Sequence, residues 1–101
     1  MTVIHGKYEW DSDKNEINMR KHGIAFEEIL PVFDDPYFYE IYDETHSTAS
    51  EKRYVGVGNV AGMMIVTTVF TERERIRIIN ARLATALEEE LYNEYRKHID
   101  G

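Results

Sequence analysis

Strand-like segments follow one another closely in the middle of this chain. Lys52–Val60 and Met63–Phe70 have the pattern of a hairpin whose turn is Ala61-Gly62. Further strands are predicted over Tyr37–Asp43, which is followed by a polar loop, and over Arg75–Ala81. Because short links join antiparallel neighbours most readily, this succession predicts an antiparallel β-sheet.

Helix signals precede these strands. Asp11 is a good N-cap for a helix that continues to about His22, and Gly23 is a good terminator just beyond it. A second, shorter helix is predicted over Phe26–Phe33. Pro31 should kink or shorten that helix, because proline lacks a backbone N–H.

A short strand at one end and a helix at the other complete the predicted order. Lys7–Trp10 has the pattern of a strand, and Thr85 with Glu88 forms a capping-box signature for a helix to about His98. The predicted fold class is therefore α+β: an antiparallel β-sheet with two N-terminal helices and one C-terminal helix. The 101 residues suffice for one modest core, so a single domain over residues 1–101 is predicted.

Composition narrows the function classes. The chain has no cysteine, which excludes disulfides and thiolate metal sites, and its four histidines lack metal-site spacing. Gly56-Val57-Gly58 falls inside a strand pattern, so neither a phosphate-binding glycine loop nor a cofactor is expected. No apolar run approaches the ~20 residues of a membrane span. Met1–Gly6 lacks the features of a secretion signal, so a cytoplasmic location without a membrane partner is expected.

Arginine is concentrated in one segment of an acidic chain. The net charge is −7, yet Thr71–Arg82 holds four of the seven arginines. The strand period predicts Arg73, Arg75 and Arg77 on one face and the intervening isoleucines on the other. Guanidinium groups bind phosphate oxygens bidentately and can stabilise the charge that grows there during transesterification. The alternative is a solvated face whose arginines pair with acids such as Glu72.

The first predicted helix offers a second group of polar residues. Lys14, Asn18, Lys21 and His22 fall at spacings that place them on one helical face. A histidine can act as a general acid or base near neutrality, and lysine can neutralise a phosphate. The alternative is that Lys21 and His22 only complement the dipole at the C-terminus of the helix.

Three further residues are candidates for a site. His46 lies in the polar loop and Arg53 begins the next strand, so both could line the mouth of a site. Tyr92 lies on the last helix, where its hydroxyl could bind a phosphate. The alternatives are an ordinary surface histidine and a tyrosine packed in the core.

An ordered set of segments resembles the BrnT-type protein family, over roughly Lys7 to Arg96. Each piece is weak by itself, but the ordered set is specific. The matching residues are Tyr8-Glu9-Trp10-Asp11, Lys14, Asn18, Lys21-His22-Gly23, Phe26-Glu27-Glu28, Val32-Phe33-Asp34-Asp35-Pro36, His46, Arg53, Gly58, Thr71-Glu72-Arg73, Ile76-Arg77-Ile78-Ile79-Asn80-Ala81-Arg82, Ala84-Thr85, Glu88 and Tyr92.

This resemblance implies a type II toxin with a RelE-like fold. Such a toxin is a metal-independent ribonuclease that blocks translation by promoting attack of a ribose 2′-OH on the neighbouring phosphate. The resemblance also implies a BrnA-like antitoxin as partner, RNA as substrate, and operator DNA bound only through the antitoxin complex. The alternative is a catalytically inactive relative that binds an antitoxin-like partner and acts in co-repression.

Site residues follow from the resemblance by position. The expected catalytic residues, acting on the phosphate or in proton transfer, are Arg75, Arg77, Lys21, His22, Glu72, His46 and Tyr92. The expected RNA-phosphate ligands are Arg53, Arg73, Arg82 and Lys14.

The chain departs from the family pattern in three places. The segment 83–90 is acidic where such toxins tend to be rich in Lys and Arg. Asn80 stands where the family often has serine, and Ala25 where it often has serine or threonine. An acidic last helix should weaken polyanion binding and make its salt dependence shallower.

Overall fold

A six-stranded sheet carries three helices in the computed structural model, which describes every residue from Met1 to Gly101. The strands are β1 (Thr2–His5), β2 (Tyr8–Asp11), β3 (Tyr39–Asp43), β4 (Arg53–Val60), β5 (Met64–Glu72) and β6 (Ile76–Leu83). The helices are α1 (Ser12–His22), α2 (Phe26–Ile29) and α3 (Ala86–Asp100), and a 3₁₀ helix covers Leu30–Asp34. The α+β class and a mostly antiparallel sheet are therefore confirmed.

The N-terminal edge of the sheet differs from the prediction. The strand order is β1-β2-β6-β5-β4-β3, and β1, which was not predicted, pairs antiparallel with β2. Three of its four residues are exposed, so it shows no alternating apolar pattern. The prediction of a wholly antiparallel sheet is wrong at one pair, because β2 runs parallel to β6. Most of the chain separates these two strands, so no short link dictates their relative direction.

The arginine-rich segment is divided between a turn and a strand, whereas the sequence predicted a strand from Arg75 onwards. Strand β6 begins at Ile76, whereas residues 73–75 form the turn from β5, closed by a hydrogen bond from the Arg73 N–H to the Arg75 carbonyl (3.1 Å). The prediction that Arg73, Arg75 and Arg77 share one face of a strand is therefore wrong for the first two. Arg73 and Arg75 lie in the turn where the chain reverses direction, and of the three arginines only Arg77 lies within the sheet.

Capping residues in the sequence determine where the helices begin and end. Asp11 caps α1, and Gly23 ends it with φ 72°, a conformation that glycine adopts without strain. The predicted second helix is interrupted, because the chain enters the 3₁₀ helix at Leu30, immediately before Pro31. Thr85 and its partner three residues later form the expected capping box of α3. None of the helices has the length together with the apolar composition that a membrane-spanning helix needs.

The core lies between one sheet face and the N-terminal helical segments. The indole of Trp10 meets the ring of Phe26 edge-on at 6.3 Å. Gly56 leaves the space that Phe38 fills, since a Cβ there would lie 2.0 Å from Phe38 Cζ. The fully buried apolar residues of this layer include Phe26, Ile29, Val32 and Val66.

The second face of the sheet is only partly covered. Helix α3 packs on it, with the Tyr95 ring 5.1 Å from that of Tyr39 and with Glu88 bonded to Arg82. Towards the β5–β6 turn the same face carries partly exposed side chains, including Arg53 and Arg77. We call this uncovered part the open face.

Candidate active site

Strand register creates one row of polar side chains on the open face. Asp43 pairs with Arg53, Arg53 with Thr71, Thr71 with Arg77, and Arg77 with Glu9. Residues opposite each other on adjacent strands lie about 5 Å apart and point to the same side. These five residues, which we call the cross-sheet row, therefore form a continuous line across five strands.

Arg77 is one of the two cations of this row. Its Nη1 lies 2.6 Å from Oε2 of Glu9, and the two side chains are 26% and 17% exposed. The parallel pairing of β2 with β6 dictates this contact, because it sets Glu9 directly opposite Arg77. The pair is a charge-assisted hydrogen bond in a partly desolvated position.

Two further arginines share one glutamate. Arg53 Nε lies 3.5 Å from Oε1 of Glu51, and Arg73 Nη2 lies 3.1 Å from Oε2 of the same carboxylate. Arg73 therefore reaches the row from the β5–β6 turn. Arg75 differs, because its Nε faces the carbonyl of Gly6 at 3.4 Å and forms no ion pair.

His46 lies at the far end of the row. Its Nδ1 is 2.8 Å from Oδ2 of Asp43, and its backbone N–H donates to Oδ1 at 3.2 Å. Burial by itself raises the pKa of Asp43. The hydrogen bonds from His46 and the charge of Arg53 together have a larger, opposite effect, so the pKa of Asp43 lies below its ordinary value. An ionised Asp43 can orient the imidazole of His46 through the hydrogen bond with Nδ1.

Thr71 occupies the centre of the row. It is fully buried, and its hydroxyl oxygen has no hydrogen-bond partner. Such a group is uncommon, because a buried hydroxyl without a partner costs about 1–3 kcal/mol. The neighbouring residues on the two adjacent strands are both arginines.

The basic residues of α1 line a separate cleft. Lys14, Lys21 and His22 surround a space of about 140 Å³ together with Asn80. Asn80 lies only three residues beyond Arg77 on β6, so this cleft adjoins the open face without being part of the row.

Asn18 lies at the floor of this cleft and has a structural task. Its side-chain amide donates to the carbonyls of Ile24 and Ala81, both at 2.8 Å, and accepts from the Ala81 N–H at 3.1 Å. Strand β2 has ended before this point, so the amide satisfies the edge of β6 as a neighbouring strand would.

Besides Arg75, Lys21 and His22, two more of the expected catalytic residues lie away from the row. The Tyr92 hydroxyl donates to Oδ2 of Asp35 at 2.6 Å, and burial together with this bond raises the pKa of the phenol. Glu72 follows Thr71 on β5 and so points to the opposite face of the sheet. On that face lies Glu40, whose pKa is raised mainly by burial and also by the charge of Glu72. Tyr92 thus ties α3 to the chain near the 3₁₀ helix.

Arg82 is bound by the start of α3. Its guanidinium donates to both carboxylate oxygens of Glu88, at 2.7 and 2.9 Å. This fork lowers the pKa of Glu88 to about 2, helped by the capping bond from the Thr85 N–H. Arg82 is therefore engaged in holding α3 to β6.

The Glu88 shift gives a pH-dependent contribution to stability. The folded pKa of about 2 is below the ordinary 4.5, so the contribution is present above pH 4.5 and is lost as the pH falls towards 2. We expect Glu88→Gln to cost about 1 kcal/mol at pH 7, after screening by solvent. Urea unfolding of both proteins between pH 7 and pH 2.5 should show the difference shrinking below pH 4.5. A difference that stays constant with pH would contradict this role.

The sequence did not reveal the carboxylates that pair with the basic side chains of the open face. Glu9, Asp43 and Glu51 were not singled out, although each holds a basic side chain of the open face. Thr71 was also missed, since nothing in a sequence distinguishes a buried, unpartnered hydroxyl from an exposed one. The parallel register that joins Glu9 to Arg77 is a long-range feature without a local signal.

The structure is that of a small α+β protein whose open sheet face carries arginine side chains. Residues 10–88 match the sequence model of a family described as the ribonuclease toxin BrnT of type II toxin–antitoxin systems. The chain belongs to this BrnT family, which confirms the resemblance and implies an antitoxin as partner.

A solved structure supports the fold. The crystal structure of the Brucella abortus ribonuclease toxin BrnT superposes with a TM-score of 0.61 at 23% sequence identity. The match covers 75% of this chain and 92% of that chain. At this identity the likeness concerns the fold alone. A comparison with curated proteins gave no match.

Proposed function

We propose that this protein is a metal-independent endoribonuclease toxin that cleaves RNA on its open face and thereby inhibits translation. The observation that supports this most strongly is the cross-sheet row, in which Arg53 and Arg77 flank Thr71 while ionisable groups stand at both ends. In keeping with this function, we propose kinship with RelE-like toxins and a cytoplasmic location.

The reaction that fits this row is attack of a ribose 2′-oxygen on the adjacent phosphorus. The P–O5′ bond breaks as the new P–O2′ bond forms, leaving a 2′,3′-cyclic phosphate and a 5′-hydroxyl. Negative charge grows on the non-bridging phosphate oxygens during this step. Arg77 and Arg53 are the groups that we assign to stabilise it, because guanidinium groups remain charged at any working pH.

Proton transfer requires one group on each side of the phosphate. A base must remove the proton of the 2′-OH, and an acid must protonate the departing 5′-oxygen. Glu9 and His46 lie at opposite ends of the cross-sheet row, about 19 Å apart across four strand spacings, so one phosphate cannot contact both. We assign Glu9, which lies beside Arg77, as the base that accepts the 2′-OH proton, and water as the acid that protonates the departing 5′-oxygen. The cleft with Lys14, Lys21 and His22 would then bind the RNA backbone beyond the scissile bond.

We further propose a BrnA-like protein as the antitoxin, covering the open face. Operator DNA would be bound only through this complex, because the chain is acidic and its exposed arginines would be covered.

One observation favours a second function, in which the protein is catalytically inactive and acts only by binding a partner protein. Four arginines of the candidate site already contact carboxylates of the same chain: Arg53, Arg73, Arg77 and Arg82. If these pairs persist when RNA is present, the arginines cannot hold a phosphate. The protein would then act only by binding its partner and repressing its operon with it.

Induced expression separates these two functions. We expect the protein to arrest growth and to cause loss of intact cellular RNA, and co-expression of the neighbouring antitoxin gene to restore growth. Normal growth with a good yield of folded protein would instead support the inactive alternative.

A further inference from the structure

We propose that the Thr71 hydroxyl completes an anion subsite with Arg53 and Arg77, in which it donates a hydrogen bond to a non-bridging oxygen of the RNA phosphodiester. This deepens the proposed ribonuclease function and rests on it for the identity of the ligand. Thr71 would be a phosphate ligand and would take no part in proton transfer.

The state of the hydroxyl is the first support. Thr68, three residues earlier on β5, is equally buried, and its hydroxyl donates to the Asn80 carbonyl at 2.8 Å. The Thr71 oxygen has no such partner. A buried donor without an acceptor lowers stability, so its presence between two cations points to an acceptor that arrives with a ligand.

The position of the hydroxyl is the second support. Arg53 and Arg77 are its direct neighbours on β4 and β6, so their side chains flank it on the open face. An anion bound by both guanidinium groups would therefore lie over Thr71. Three donors from three adjacent strands could then converge on one phosphate, which suits its tetrahedral array of oxygens.

The carboxylates explain how the subsite is closed without a ligand. Glu9 holds Arg77 and Glu51 holds Arg53, and a carboxylate offers arginine the same two-oxygen edge as a phosphate. Binding of the phosphodiester would exchange these partners. As the two long side chains swing towards the anion, the Thr71 hydroxyl beneath them would become accessible.

Thr71→Val is the direct test, because valine has nearly the shape of threonine and lacks the hydroxyl. The probes are inorganic phosphate, titrated by NMR, and a 2′-O-methyl RNA oligonucleotide, which cannot undergo the cleavage step. We expect both to bind about tenfold more weakly to Thr71→Val, equivalent to about 1.4 kcal/mol. Thr71→Ser, which keeps the donor, should restore most of the affinity.

Thr67→Val is the matched control. Thr67 lies on the same strand and face and is also buried, and its hydroxyl lies near the carboxylate of Glu88, whose pKa it helps to lower. Its neighbour on β6, however, is Arg82, which is held by Glu88 of α3. We expect Thr67→Val to bind both probes as the unaltered protein does. Thr71→Val should not be less stable than the unaltered protein, because it removes an unsatisfied hydroxyl.

The outcomes separate the subsite from the catalytic function. Equal affinity of the unaltered protein and Thr71→Val, or equal losses in Thr71→Val and Thr67→Val, would overturn the subsite and leave RNA cleavage standing. If phosphate binding depends on Thr71 while natural RNA stays intact, the subsite is supported and the ribonuclease function fails.

Discussion

Replacing Arg77 with alanine should lower the rate of RNA cleavage by about 10²–10³-fold, the usual cost of removing one donor to a developing oxyanion. Arg77 is the only arginine of the segment 73–77 that lies within the sheet, and it is paired with Thr71, where we propose that the phosphate binds. The measurement is the single-turnover cleavage rate of a labelled RNA with purified protein.

Two controls keep this result interpretable. Arg77→Ala leaves Glu9 without its partner, so Glu9→Gln/Arg77→Gln should be tested beside it for folding by circular dichroism. Arg20→Ala removes the same charge from an exposed pair with Glu16 on α1 and should cleave at the unaltered rate. A rate for Arg77→Ala within about twofold of the unaltered protein would place the oxyanion site elsewhere, since it would represent under about 0.5 kcal/mol.

The largest effect on stability is expected for Asn18→Leu, which should lower the free energy of unfolding by about 3–5 kcal/mol. Leucine cannot form the three hydrogen bonds of the amide, so the N–H and carbonyl of Ala81 and the carbonyl of Ile24 remain buried without partners. Urea unfolding measures this directly.

Asn93→Leu provides the matched comparison. Asn93 is exposed on α3, so the same chemical change there should alter the unfolding free energy by under about 0.5 kcal/mol. If Asn18→Leu kept full stability and lost only RNA cleavage, Asn18 would belong to the chemistry of the α1 cleft. Its structural assignment would then be wrong.

Elements governed by neighbouring residues were predictable from the sequence. Asp11 and Gly23 set the ends of α1 through capping interactions made within one helical turn. The capping box at Thr85 likewise marks the start of α3. Each of these signals depends on residues a few positions apart, so it is present in the sequence itself.

Long-range pairing was not predictable in the same way. Strand β1 lacks an apolar alternation, and the parallel register of β2 with β6 joins residues that are distant in the chain. The strand period alone also extended β6 back to Arg75, whereas the turn from β5 occupies that position. These features depend on the assembled sheet and not on local preference.

The candidate site also has a part that could be predicted from the sequence and a part that could not. Residue chemistry singled out Arg53, Arg77 and His46, which the fold brings to one row or to its end. It also singled out Tyr92 and Arg82, whose polar groups are engaged in holding α3. Which cations remain on the open face is decided by carboxylate partners from distant strands and loops.

The most direct test of the open-face ribonuclease is to analyse the RNA ends produced by purified protein in the presence of EDTA. We expect fragments with 2′,3′-cyclic phosphate and 5′-hydroxyl ends, and no cleavage where a single 2′-deoxy nucleotide replaces the scissile ribose. Intact RNA from folded protein, or equal cleavage by the Arg77→Ala variant, would contradict a metal-independent ribonuclease centred on the cross-sheet row.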